Sequence, residues 1–226
     1  MALPRYLAQT SEEFHGCASL PRHLAWMACH FSPYGRGLVN LPPALPRDAM
    51  VILNDRIPMT HHDPELILQQ LRQLAPAYLL LDFQQQATTR PMELTRLLVT
   101  ALPCPVGVPA AYGKELDCPL FLPLPPPDAP LDVHLRSWQG REIWLELALN
   151  AMTYTVTEQG AAPGDLTLIP SEGQTDSDLC CHYQLSLTDE KAEFALWRTR
   201  EDLDSLLDQA GAFGVTKAVG LWQELR

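Results

Sequence analysis

Basic residues are scarce in this 226-residue sequence. Sixteen Lys+Arg stand against 27 Asp+Glu, a formal charge of −11, so the summed field repels phosphate backbones and anionic lipid headgroups. Nucleic acid and membrane surfaces are excluded as expected partners. No apolar run approaches the roughly 20 residues of a membrane helix, and the first residues carry no basic stretch followed by an apolar one. A cytoplasmic location is the expectation. The six cysteines (17, 29, 104, 118, 180 and 181) form no Cys-x-x-Cys pair, which removes a zinc ribbon or a thioredoxin-like motif. They read as reduced, buried thiols, and adjacent Cys180 and Cys181 in a strand would face opposite sides, a poor geometry for a bridge. A Gly-rich phosphate loop, a Gly-x-Ser-x-Gly elbow and a His-Glu-x-x-His helix are all missing, so nucleotide, esterase and zinc-protease chemistry has no residues to carry it. No cofactor and no metal are expected. His61-His62-Asp63 comes nearest to a ligand set, but it has no second cluster and suits a helix start. Internal repeats and low-complexity tracts are also absent.

What the chain does have is apolar residues, 46% of the total against 19% charged, enough for one sizeable core; a single domain over residues 1–226 is expected. Short apolar runs at 24–31, 49–54, 78–83 and 105–108 have the pattern of strands covered on both faces, which favours parallel pairing. Between the second and third runs, Asp63 as N-cap, Pro64 at the first helical position and Leu66, Leu68, Leu71 and Leu74 predict a helix. Residues 90–102 repeat the arrangement before the fourth run. The unit is βαβαβ, with right-handed crossovers expected.

Beyond 108 the regularity weakens. Proline-rich residues 123–130 read as a surface crossover loop, and residues 142–149 and 151–157 as strands around Asn150, a potential hairpin. A clearer hairpin pairs 181–187 with 192–197 across the polar turn 188–191. Thr199-Arg-Glu-Asp202 is a capping-box variant ahead of Leu203, Leu206, Leu207 and Ala210, with Gly211 and Gly214 at the helix end. A last strand runs to Trp222. Strand cores near 24, 49, 78, 105, 118, 142, 181 and 216 make eight, so the fold class is α/β: a reduced or irregular (β/α)8 TIM-like barrel with some helices missing and added β-hairpins.

The order Phe194-Ala-Leu-Trp197, capped helix from Thr199, Gly214 and apolar Ala218-Val-Gly220-Leu-Trp222 resembles the closing hairpin, last helix and eighth strand of glycoside hydrolase family 18 barrels. Two further segments are similar: Tyr78-Leu-Leu-Leu-Asp82-Phe83-Gln84, taken as the third strand, and Met152-Thr153-Tyr154, which matches a sixth-strand Met-Thr-Tyr-Asp with Thr155 in place of Asp. The resemblance implies a saccharide site floored by the Trp that ends the last strand. In the family, a Glu protonates the leaving oxygen while the preceding Asp orients the substrate's attacking acetamido group. Carried over, Asp82 matches the orienting Asp and Gln84 the acid, while Leu80 and Ala77 occupy usually acidic positions. An amide cannot deliver a proton as a carboxylic acid can.

Chemistry in such a barrel sits at the carboxyl ends of the strands, which selects Asn54 and Asp55 after the second strand, Asp82 and Gln84 at the third, and Trp222 and Glu224 at the last; Tyr154 joins them through the resemblance. Glu142 and Glu146 share a strand face with Trp144 between them, roughly 13 Å apart, too far for an acid and base pair; they read as solvated or salt-bridged. The expectation is a barrel that binds a saccharide or similar polar small molecule without family 18 catalysis. The alternative is a glycoside hydrolase in which Asp82 works with Asp55, Glu146 or Glu224, and catalytic roles would then fall first to Asp82 and Glu224. A non-catalytic interaction protein is the third possibility.

Overall fold

The computed structural model describes residues 3–42 and 44–226. Its strands are β1 (Arg5–Gln9), β2 (Leu24–Phe31), β3 (Leu38–Val39), β4 (Met50–Asn54), β5 (Tyr78–Asp82), β6 (Val106–Pro109), β7 (Leu120–Leu122), β8 (Ile143–Leu147), β9 (Ala151–Thr157), β10 (Gly160–Asp165), β11 (Gln174–Asp176), β12 (Cys181–Leu187), β13 (Ala192–Trp197) and β14 (Val215–Leu221). The helices are α1 (Ser11–Gly16), α2 (Pro64–Leu74), α3 (Thr89–Ala101), α4 (Ala110–Gly113), α5 (Leu131–Leu135), α6 (Arg200–Ala210) and α7 (Trp222–Leu225). They divide into two compact units: Pro4–Leu122 with Arg141–Glu146 and Thr216–Arg226, and Pro123–Gly140 with Leu147–Val215.

The first unit is a closed parallel barrel. Its strands follow the order β1-β14-β8-β7-β6-β5-β4-β2, and β1 pairs with β2 to close the ring. Tyr6, Ala8, Ala25, Met50, Ile52, Leu80, Trp144 and Val219 fill the interior, with Met27, Tyr78 and Phe121 against them. Trp144 occupies the space above Gly107, where a Cβ would stand 2.3 Å from Cε3 of the ring. Below this layer Glu142 accepts from Thr216 Oγ1 at 2.7 Å and Trp144 Nε1 at 3.0 Å, and Lys217 Nζ lies 4.6 Å from the Tyr78 ring centroid. The barrel is therefore a packed core with a polar plug at its amino-terminal end.

Two of the expected helices form as their caps predict. Asp63 accepts from Glu65 N, Pro64 begins α2, and Ala75 ends it in the left-handed region; the buried side is Ile67, Leu68 and Leu71, while Leu66 is exposed. The helix α3 lies between β5 and β6, and α4 is a single turn between β6 and β7. The barrel is reduced and irregular, as expected.

Strand membership needs correction. Eight strands close the barrel, but residues 181–187 are not among them. The first barrel strand is β1, so 49–54 is the third and 78–82 the fourth. Arg5-Tyr-Leu-Ala-Gln9 is only five residues of mixed character, and its partners β14 and β2 lie elsewhere in the sequence. Nothing local marks it as a buried strand.

The second unit carries an antiparallel sheet in the order β10-β9-β13-β12-β11. The hairpin of β12 and β13 pairs as its turn predicts. Residues 151–157, however, pair with β10 and β13 rather than folding back on 142–149, so Met152-Thr153-Tyr154 is not on a barrel strand. Arg198, 2% exposed, donates to Cys180 O, Leu179 O, Pro125 O, Pro126 O and Asn150 Oδ1. One guanidinium thus ties proline-rich residues 123–130 to this unit, satisfying carbonyls that a segment poor in N–H groups cannot satisfy itself. Asp202 completes a capping box with Thr199 and accepts from His182 Nδ1 at 2.8 Å.

Candidate functional site

All the barrel strands run the same way, so their carboxyl ends share one rim, and strand alternation decides which of the final residues face inward. Met50 and Ile52 are interior, as are Tyr78 with Leu80, and Trp144. Asn54, Asp82 and Glu146 are the next residues of the same faces, and Asn54 pairs in register with Asp82. The step to this rim turns an apolar interior into a polar one.

Asn54 is held by the backbone. Its Nδ2 donates to Met27 O at 3.3 Å and Cys29 O at 3.1 Å, where β2 slips in register against β4, and its Oδ1 accepts from Arg56 N. Asp82 accepts from Gln84 Nε2 at 3.2 Å. Burial pushes its pKa up, the Gln84 bond pulls it down, and the charge of Asp55 raises it again. Glu146 is likewise raised, first by desolvation and then by the charges of Asp82 and Glu224. These carboxylates therefore feel one another across the rim. Beneath Asp82 stands Leu80, 1% exposed in the interior, an apolar residue at a position where the resemblance has an acid.

Asp55 is one residue past inward-facing Asn54 and turns outward. Its two carboxylate oxygens accept from Gln84 N and Gln85 N, each at 3.0 Å, while Gln85 Nε2 donates back to Asp55 O at 2.7 Å. Asp55 thereby caps the loop that follows β5. Trp222 opens α7 directly after β14 and is half-buried; Glu224 follows within the same short helix. Tyr154 stands on β9 opposite Phe194 and Pro163. Glu142 and Glu146 part company: the first belongs to the plug at the amino-terminal end, the second to the opposite rim. His62 is buried, its Nε2 2.8 Å from Ser32 O, and Asp63 caps α2. No group of three or more metal-ligating side chains occurs among the described residues, and no helix among them is long and apolar enough to cross a membrane.

No family model and no curated protein matches the sequence. Solved structures do. The spore cortex-lytic enzyme SleL of Bacillus cereus is 11% identical with a TM-score of 0.60, covering 99% of this chain and 71% of its own. The chitinase-like agglutinin RobpsCRA of Robinia pseudoacacia is 12% identical at a TM-score of 0.58, covering 98% and 95%. A mutant class V chitinase of Nicotiana tobaccum in complex with NAG4 is 8% identical at a TM-score of 0.58, covering 100% and 95%. At such identities the likeness is one of fold alone: the barrel is a divergent TIM barrel similar to those of these chitinase-type proteins.

Proposed function

We propose that the barrel binds a saccharide, or a similar polar small molecule, at its carboxyl-terminal rim, and that it lacks family 18 hydrolysis. The observation that carries this is the pair Asp82 and Gln84: the amide stands where the resemblance places the acid, and it donates to Asp82. Asp82 and Glu146 supply acceptors for sugar hydroxyls, and half-buried Trp222 supplies an apolar face for C–H groups. The likeness to a chitinase-like agglutinin supports a binding role on this fold, and the Nicotiana chitinase, solved with NAG4, supports the choice of ligand class. A cytoplasmic setting, consistent with six free thiols, belongs to the same proposal.

A hydrolase remains the second reading, favoured by one observation: desolvation, with the charges of Asp82 and Glu224 adding to it, raises the pKa of Glu146, the direction a general acid needs. Calorimetric titration with NAG4 and an assay for its cleavage separate the two. Saturable binding without cleavage is expected, with Trp222→Ala weakening it by about 1–3 kcal/mol, the usual worth of a stacked ring. Cleavage abolished by Glu146→Gln would establish the hydrolase, and no interaction with NAG4 or other neutral oligosaccharides would remove the saccharide reading.

A further inference from the structure

The side chain of Gln84 is exposed, yet the backbone that carries it is braced from the inside. Phe83, just before it, is buried between Phe31 and Tyr112, with ring centroids 5.8 Å and 5.4 Å away. Asp55, 7% exposed, accepts from Gln84 N and Gln85 N, and Gln85 Nε2 donates to Asp55 O. From α4, Tyr112 donates its hydroxyl to Gln85 O at 2.9 Å, and it is 2% exposed. Residues 84 and 85 therefore give both N–H groups and a C=O to buried partners while their side chains lie at the surface.

A carboxylate as buried as Asp55 is unfavourable unless its hydrogen bonds are made. Here it makes them to the stretch of backbone that brings the Gln84 amide to Asp82, 3.2 Å from Nε2 to Oδ1. A polar side chain whose backbone is already fixed loses less freedom when a ligand orders it. The outer face of the wall thus sets the geometry of a pair on the rim.

We propose that Asp55 and Tyr112 are positioning residues for that rim: they fix residues 84–85 so that the Gln84 amide stays on Asp82 and the two meet a ligand as a preformed donor and acceptor. The ligand is taken from the saccharide reading, on which this part of the proposal rests. A sugar hydroxyl fits the pair, because it donates to the carboxylate and accepts from the second N–H of the amide. An anionic group would be repelled by Asp82, and an apolar one would leave both bonds unmade.

The test follows the Asp82 carboxyl by carbon NMR through a pH titration of the parent, Tyr112→Phe, Gln84→Ala and the double variant. Tyr112→Phe removes a hydroxyl and no charge, so Asp55 and Glu146, the carboxylates coupled to Asp82, keep theirs. Desolvation raises the Asp82 pKa and the Gln84 hydrogen bond holds it down. Losing that bond raises it further. Both single variants should therefore titrate above the parent, and the double variant no higher than Gln84→Ala alone, since Tyr112 acts through Gln84. An unchanged titration in Tyr112→Phe, or a shift that adds to that of Gln84→Ala, would overturn the proposal. Asp55→Asn, which keeps an acceptor for only one of the two N–H groups, is the second variant. Calorimetry should show its NAG4 binding weakened roughly threefold to tenfold, about one hydrogen bond, and undiminished binding would also count against the positioning role. A parent chain that does not bind NAG4 would remove the saccharide reading alone, because the titration decides the positioning without it.

Discussion

Half-buried Asp82 is held above its ordinary pKa, first by desolvation, with the Gln84 hydrogen bond opposing the shift and the charge of Asp55 adding to it. The folded chain therefore keeps protons that the unfolded chain has already released. The sign follows from linkage: the contribution to stability is fully present below the unfolded carboxylate value, about 4, and is lost as pH rises through the raised folded value. Asp82→Asn should remove part of that loss. The expected outcome is a melting temperature above that of the parent at pH 7 and nearer to it at pH 4, read from thermal scans at the two values. A lower melting temperature for Asp82→Asn at pH 7 would mean that the ionised form is favourably held by partners such as Gln84. Single-residue steps also decide roles here: Asn54 faces into the barrel, and its neighbour Asp55 faces out.

Among the elements, the contact of β6 with β8 through the barrel interior is a close constraint on side-chain size. Trp144 is fully buried and hydrogen-bonded to Glu142, and it lies where any side chain at Gly107 would have to go. Gly107→Ala should overpack the interior by about 1–3 kcal/mol, measured as a lowered urea midpoint with an unchanged slope. In the sequence, Val106-Gly107-Val108 is simply an apolar run with a glycine in it, and neither the need for that glycine nor its partner 37 positions away is visible. Helices α2 and α6 contrast with this, because their caps and apolar stripes are made within a dozen residues and are legible locally. The strand β1 is the opposite case, short and made a strand by β2 and β14.

For the whole molecule, the two compact units are interleaved along the chain, with changes from one to the other at Leu122, Gly140, Glu146 and Val215. Neither is a continuous segment, and β8 and β14 each contribute residues to both. We propose on this ground that the chain unfolds as one cooperative domain. Differential scanning calorimetry should then show one transition whose calorimetric and van't Hoff enthalpies agree; two resolved transitions would show that the units unfold separately.

The sequence by itself determined the character of the segments: parallel-type apolar strands, two capped helices, a proline-rich crossing, an antiparallel hairpin, and the amide at position 84. Each depends on neighbours within one or two turns of chain. Only the tertiary structure decided which strands share a sheet, since strand pairing is made by hydrogen bonds between residues far apart in sequence. It moved 181–187 and Tyr154 to the antiparallel sheet, brought Arg5–Gln9 into the barrel, and separated Glu146 at the rim from Glu142 in the plug. It also divided the candidates at the end of β4, because the alternation of a strand sends Asn54 to one side of the wall and Asp55 to the other, and only a closed barrel makes one of those sides an interior.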